Sequence, residues 1–439
     1  MKIVDGLPSF LDCAGSLTLR VCARSAVVQC DRFIARFSLS TGKMDWVVER
    51  TPVRLAETMK LPRFIGLFSA NSVLWFSEQV VAEIISIGCG GARILARDAL
   101  TGIQLWEHFI AIPDAVDWAE VTPAWSGAQI EEIYGFIADD AERLVVLLTR
   151  HTRRTRIYSP AVTVNTMPPF RCQTEAVRFE PSTGELMWRA TFQDVHVGII
   201  ARNSFSGIWA RSPRLGVIDF ETGTNTILHE LPHSLGWPVY DGTEIAVPWY
   251  SKNEVGVEWI DVKGRHVRSG NWRHPRATRT KLHLTCAGMA LQTSEQGLWW
   301  LGKECVPLWN VRAKPYIYRV HRMSDTDVFV GTDGNGGRLL AFDAESGRET
   351  LNLKPVLGGV GDLAKIPGQT ILVSTFRTSR SYSAPTHLLV LSMMDRRHAL
   401  DQECFHLLGT WEDGVVCRTG RDGDRIAVIN LRSPETATV

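Results

Sequence analysis

Few residues in this chain have the types and spacing that chemistry requires, and each group falls short of its motif. Asp333-Gly334-Asn335-Gly336-Gly337 gathers oxygen donors as a calcium loop does. An EF-hand loop needs further oxygens at fixed offsets, ending in a bidentate Glu. Arg338-Leu339-Leu340 follows at once, so the stretch reads as a Gly-rich hairpin. His229 and His233 are spaced to share a helix face, but Pro232 between them breaks a helix. Cys89-Gly90-Gly91 lacks the Lys and the following helix of a phosphate cradle. The nine Cys include no Cys-x-x-Cys pair and read as free buried thiols in a reducing compartment. A Ser-His-Asp triad is defined by geometry, which sequence does not give. The sequence therefore assigns no catalytic residue, no metal ligand and no cofactor.

Charge is the more informative feature. Lys263, Arg265, Arg268, Arg273, Arg276, Arg279 and Lys281 crowd one stretch with His266, His274 and Trp272, and without an acid. A second basic run holds Arg150, Arg153, Arg154 and Arg156, while Glu131-Glu132 and Asp139-Asp140-Ala141-Glu142 are acidic. The planar guanidinium fork makes paired hydrogen bonds to carboxylates, and Trp is common at interface hot spots. The expected partner is thus a protein with an acidic surface, bound through Arg153, Arg154, Arg156, Trp272, Arg273 and Arg276. Nucleic acid is a second reading of the basic stretch. A formal net charge of +1 gives the whole molecule no electrostatic pull toward nucleic acid or membrane. A solvated outer strand and loop is the plainer account of the same residues, since alternation would divide them between two faces.

These residues must be held by some scaffold, and a recurring phrase identifies it. Arg97-Asp98-Ala99-Leu100-Thr101-Gly102-Ile103-Gln104-Leu105-Trp106 reads as a strand end, a tight turn and a second strand. Thr41-Gly42 with Trp46, and Thr183-Gly184 with Trp188, repeat it, each Trp four residues past Gly. Degraded copies place Gly at 223 and 347, with Ile227 and Leu351 in the Trp position. Further copies are expected at Gly264, at Gly302 and at Met394-Asp395-Arg396. Gly supplies the positive φ of the turn, and Asp, Ser or Thr before it can bond the free N–H groups.

From Gly184 to 223, 264 and 302 the spacings are 39, 41 and 38 residues, one four-stranded unit per period. Helix signals are scarce. The prediction is an all-β fold: one closed β-propeller over residues 1–439, with seven or eight four-stranded blades. Insertions are expected at about 50–70 and 149–174. Strands at residues 402–432 should pair with the N-terminal segment and close the ring, which removes an exposed edge. No signal peptide and no run of about 20 apolar residues is present, so a cytoplasmic protein is expected.

The phrase resembles the repeat of the quinoprotein (pyrroloquinoline quinone dehydrogenase-like) propellers. Asp98, Thr101, Gly102 and Trp106 match it fully; the copies at 41–46 and 183–188 match all but the Asp. The resemblance implies the propeller fold, and relatives that are either cofactor enzymes or protein-binding scaffolds. The enzymes carry adjacent cysteines over the quinone and a Glu/Asn/Asp calcium site, and here no two Cys adjoin. No quinone is expected. The function expected is non-enzymatic: a rigid disc presenting loops to a protein, for instance an inhibitor of the immunity-protein type. The alternatives are a hydrolase or lyase acting at the channel mouth, and a nucleic-acid-binding propeller.

Overall fold

The computed structural model describes residues 2–5, 7–8, 17–30, 32–50, 73–88, 91–111, 128–136, 143–154, 172–193, 200–202, 206–211, 213–231, 234–236, 238–240, 243–251, 253–273, 280–285, 288–293, 297–302, 304–312, 317–322, 327–332, 338–353, 360–369, 371–377, 386–392, 398–403, 406–419 and 425–431. None of them is helical. They form nine antiparallel sheets, each an up-and-down unit. We number the units as blades 1–9 in chain order.

Blade 1 holds strands Thr18–Cys22, Ser25–Gln29, Phe33–Ser38 and Met44–Glu49. Blade 2 holds Val73–Phe76, Val80–Gly88, Gly91–Asp98 and Gln104–Ala111. Blade 3 holds Ala128–Phe136, Leu144–Arg154, Cys172–Phe179 and Leu186–Gln193. Blade 4 runs from Ile200–Arg202 through Ser206–Arg211 and Arg214–Asp219 to Asn225–Glu230. In blade 5 the short strands Ser234–Leu235 and Val239–Tyr240 both pair with Glu244–Tyr250, followed by Glu254–Asp261 and His266–Arg273.

Blade 6 contains Thr280–Thr285, Gly288–Thr293, Gly297–Leu301 and Pro307–Arg312. Blade 7 contains Ile317–Arg322, Asp327–Thr332, Leu339–Asp343 and Glu349–Leu353. Blade 8 contains Val360–Lys365, Ile371–Arg377, Thr386–Ser392 and His398–Glu403. Blade 9 takes His406–Trp411, Gly414–Thr419 and Arg425–Asn430 from the C-terminal end and Lys2–Ile3 from the N-terminal end.

The expected closure by the termini is therefore present: Lys2 pairs with Val428 and Ile3 with Ala427. The blade count differs, being nine among the described residues rather than seven or eight. The reason is local. Every turn-bearing hairpin already owns a sheet, and the closing sheet has no hairpin of its own at its outer strand. Lys2 instead lies against the blade 1 turn, its Cβ 3.4 Å from where a Cβ on Gly42 would stand.

Hydrophobic clusters fill the seams between blades. Ala82, Ile84 and Ile94 of blade 2 meet Val146, Leu148 and Val177 of blade 3. Leu19, Ala26 and Val28 of blade 1 meet Val416, Ile426 and Val428 of blade 9, so the ring is closed by side-chain packing as well as by strand pairing. Sandwiching both faces of a sheet explains why middle strands read as unbroken apolar runs, such as Leu144-Val145-Val146-Leu147-Leu148, all buried. Outer strands alternate, because only one side chain in two reaches a seam.

The recurring phrase is a lock between blades. Trp46 of blade 1 donates its indole N–H to Ala99 O of the blade 2 turn at 3.0 Å. Trp106 of blade 2 donates to Pro181 O of the blade 3 turn at 2.8 Å. Trp188 of blade 3 donates to Phe220 O of the blade 4 turn at 3.0 Å. Each indole lies on the turn glycine: a Cβ on Gly184, where φ is +75°, would stand 2.6 Å from Trp106 Cγ. Asp98 accepts from Leu100 N, Thr101 N and Thr101 Oγ1. The Thr101 hydroxyl, then the Thr101 N–H, hold the Asp98 carboxyl below its ordinary pKa.

The blade 6 turn is shifted from its expected place. Cys305, with φ at 61°, takes the left-handed position, not Gly302. Four residues later Trp309 donates to Ala344 O of the blade 7 turn at 3.0 Å, completing the same lock. In blade 5 the Trp position is Arg268, which stacks 4.2 Å from the centroid of Trp259 and pairs with Glu244 at 2.7 Å. Burial pushes the Cys305 thiol up, partly opposed by the Arg268 charge. The turn expected at 394–396 lies outside the described residues.

Candidate docking face

Up-and-down strand order sorts each blade's ends. The turns joining first to second and third to fourth strands lie on one face of the ring. The ends of second and fourth strands lie on the other, which we call the crossover face. Trp-to-turn locks join blades 1 to 4 and blades 6 and 7, while the blade 5 turn at Gly264 lies on Leu228 of blade 4 and the blade 6 turn at Cys305 lies on Gly270 of blade 5, so blades 1–7 share this orientation.

Arg153 and Arg154 end the second strand of blade 3, opposite Gln129 and Ala128 of the first strand. Arg273 ends the fourth strand of blade 5, opposite Glu254, and is exposed. Both positions fall on the crossover face, with blade 4 between them. Arg156 and Arg276 lie outside the described residues, in the connections that follow these two strands. Strands occupy 149–154 and 172–174 at the two ends of the insertion expected over 149–174. Residues 155–171 and 51–72 are also outside the described residues.

Trp272 takes an inward position. Along His266–Arg273, exposure alternates so that Val267, Ser269, Asn271 and Arg273 face solvent. Trp272 is half-buried, packs into the seam of blades 5 and 6, and tilts against Trp299 with centroids 5.5 Å apart. Its indole nitrogen is buried without a hydrogen-bond partner among the described residues.

Alternation also divides the basic stretch, as the plainer reading anticipated. Arg265 bonds its own turn at Asp261, 2.6 Å away. Arg268 is spent inside blade 5 on Trp259 and Glu244. Lys281 belongs to the first strand of blade 6, in a different sheet from Arg273. Nor are the acidic and basic runs segregated: Glu131 and Glu132 pair directly with His151 and Arg150 on the neighbouring strand. What remains for the crossover face is the pair Arg153–Arg154 and the single Arg273.

Sequence reasoning missed one buried ionic group. Glu83, 1% exposed, lies at the seam of blades 1 and 2. Arg50 pairs with it, Arg97 Nε stands 3.6 Å away, and Gln29 Nε2 donates to it at 3.0 Å. A carboxylate inside Val80-Val81-Ala82-Glu83-Ile84-Ile85 was the available signal. Among the described residues, no group of three or more His, Cys, Asp or Glu could hold a metal ion. No helix there is long and apolar enough to cross a membrane.

No protein-family model matches the chain, and neither does any curated protein. Solved structures do resemble it. The crystal structure of BamB from Moraxella catarrhalis aligns with a TM-score of 0.45 at 12% identity, over 84% of this chain and 94% of that one. The dihydro-heme d1 dehydrogenase NirN, in complex with DHE, gives 0.45 at 14%, over 80% and 68%. A prolyl endopeptidase gives 0.41 at 10%, over 75% of this chain and 49% of that one.

Proposed function

We propose that this protein is a non-enzymatic, quinoprotein-like propeller scaffold that binds an acidic protein partner through its crossover face. In this reading it works in the cytoplasm as a dedicated inhibitor of the immunity-protein type. The observation that carries the proposal is the placement of Arg153–Arg154 and Arg273 at strand ends on one face. Arg156 and Arg276 belong to the adjoining connections. Loops held by a rigid scaffold are where binding residues concentrate, and guanidinium groups suit carboxylate recognition.

Charge reversal tests it. Arg153→Glu with Arg154→Glu, and separately Arg273→Glu with Arg276→Glu, should leave thermal unfolding unchanged. At least one pair should weaken the complex by more than about 2 kcal/mol. Wild-type affinity in both double variants would remove the crossover face from the account.

A further inference from the structure

Among the described residues, every large hydrophobic side chain left exposed belongs to the fourth strand of blades 2–6 or to the turn that enters it. A fourth strand is also the edge of its sheet, with the third strand as its one partner among the described residues. The free row of backbone N–H and C=O groups on an edge is a template for another strand, which proteins blunt with charge, proline or shortness. Blade 1 exposes Asp45 and Glu49 there, blade 4 Glu230, blade 5 Arg273 and blade 7 Glu349. Blade 6 begins its edge with Pro307, blade 8 carries Asp401 and Glu403, and blade 9 ends in a strand of two residues. Blade 3 starts apolar at Leu186 and Met187 but continues its exposed positions as Arg189, Thr191 and Gln193.

Blade 2 lacks these devices. Its edge strand Gln104–Ala111 has eight residues, about 27 Å, and no Lys, Arg or Pro. Trp106, His108 and Ile110 turn toward blade 3. Leu105, Glu107 and Phe109 stand exposed on the other sheet face, just after Ile103. Ile103 is 66% exposed and Phe109 61%. The single carboxylate of the strand is already neutralised, because Arg93 of the adjoining third strand donates to Glu107 Oε2 at 2.7 Å.

Charge and symmetry point to a second copy of this chain as the occupant. The edge has no net charge, so it offers nothing to the acidic partner of the crossover face. The whole chain has a formal net charge of +1, so two copies meet with little repulsion, a condition that promotes self-association. A two-fold axis normal to the sheet sets this strand antiparallel to itself and keeps the exposed faces of both copies on one side. Leu105 and Phe109 of each copy then shield one another from water.

We propose that the protein forms a two-fold dimer in which the Gln104–Ala111 edges of two copies pair antiparallel and join the two blade 2 sheets. The contact is separate from Arg153, Arg154 and Arg273 and does not depend on the docking reading. With few apolar side chains from each copy, it lies at the small end of specific interfaces, so dimerisation depends on concentration.

Sedimentation velocity of the full chain over a concentration series tests this. A species of twice the monomer mass is expected to grow with concentration, and hydrogen exchange of the 104–111 amides to slow in step with it. Phe109→Glu and Leu105→Glu, made separately at exposed positions, should each weaken dimerisation at least tenfold while thermal unfolding stays unchanged. Leu308→Glu, on the blade 6 edge, should leave dimerisation as it is, which separates edge pairing from indiscriminate apolar association. A monomer at every concentration would overturn the proposal. So would a dimer that both folded blade 2 variants retain, one that Leu308→Glu weakens equally, or one that forms without slower exchange at 104–111.

Discussion

Replacing Trp106 with alanine is expected to destabilise the protein by about 3–5 kcal/mol, the range for truncating a buried Trp. Trp106 is 8% exposed, packs against Phe179 and His108, and spans the seam of blades 2 and 3. Its loss leaves a cavity and strips Pro181 O of its 2.8 Å donor. The partner in the lock gives an internal control. Gly184→Ala in the wild type places a Cβ 2.6 Å from the indole and forces alanine to φ +75°. In the Trp106→Ala background the contacts with the ring are gone, leaving the 3.1 Å approach to the Cβ of residue 106 and the left-handed backbone cost of about 1–2 kcal/mol. The two substitutions should therefore be less costly together than the sum of each alone. Denaturation midpoints of the four proteins measure this; strict additivity would mean that the Trp does not lie on that glycine.

Glu83→Ala should cost a similar amount, about 3–5 kcal/mol, by a different route. Breaking a buried ion pair leaves the opposite charge uncompensated. Here the side chains of both Arg50 and Arg97 are mostly buried, at 12% and 13% exposure. Arg50 keeps its 2.8 Å bond to Cys30 O and so stays at the seam after its carboxylate is removed. Calorimetric unfolding of the variant reads the loss. A change below about 1 kcal/mol would show that water already reaches this seam.

What could be read from the sequence follows from which interactions are local. The Thr-Gly turn and the Trp four residues on lie within one hairpin, so strands ending at 38, 98, 179, 219, 261 and 343 were legible, each in its own blade. The closing blade was legible as strands at 402–432 that pair with the N-terminal segment, but not as a ninth unit in the count, because its outer strand comes from the other end of the chain and has no turn phrase. Cys305 escaped a search for Gly, although stepping back four residues from Trp309 would have found it. The docking residues were legible as charge and not as geometry. Spacing alone does not distinguish Arg268, turned into its own blade, from Arg273, exposed at a strand end. Register was likewise invisible, and it places Glu132 beside Arg150 rather than apart from it.

The most direct test of the docking reading is native capture of the full chain from its own cells, with mass spectrometry and stoichiometry. The account predicts one acidic protein in fixed stoichiometric ratio, retained by the wild type and lost from at least one of the two charge-reversed proteins. Recovery of the chain with no stoichiometric partner, together with turnover of a small molecule by the purified protein, would contradict it.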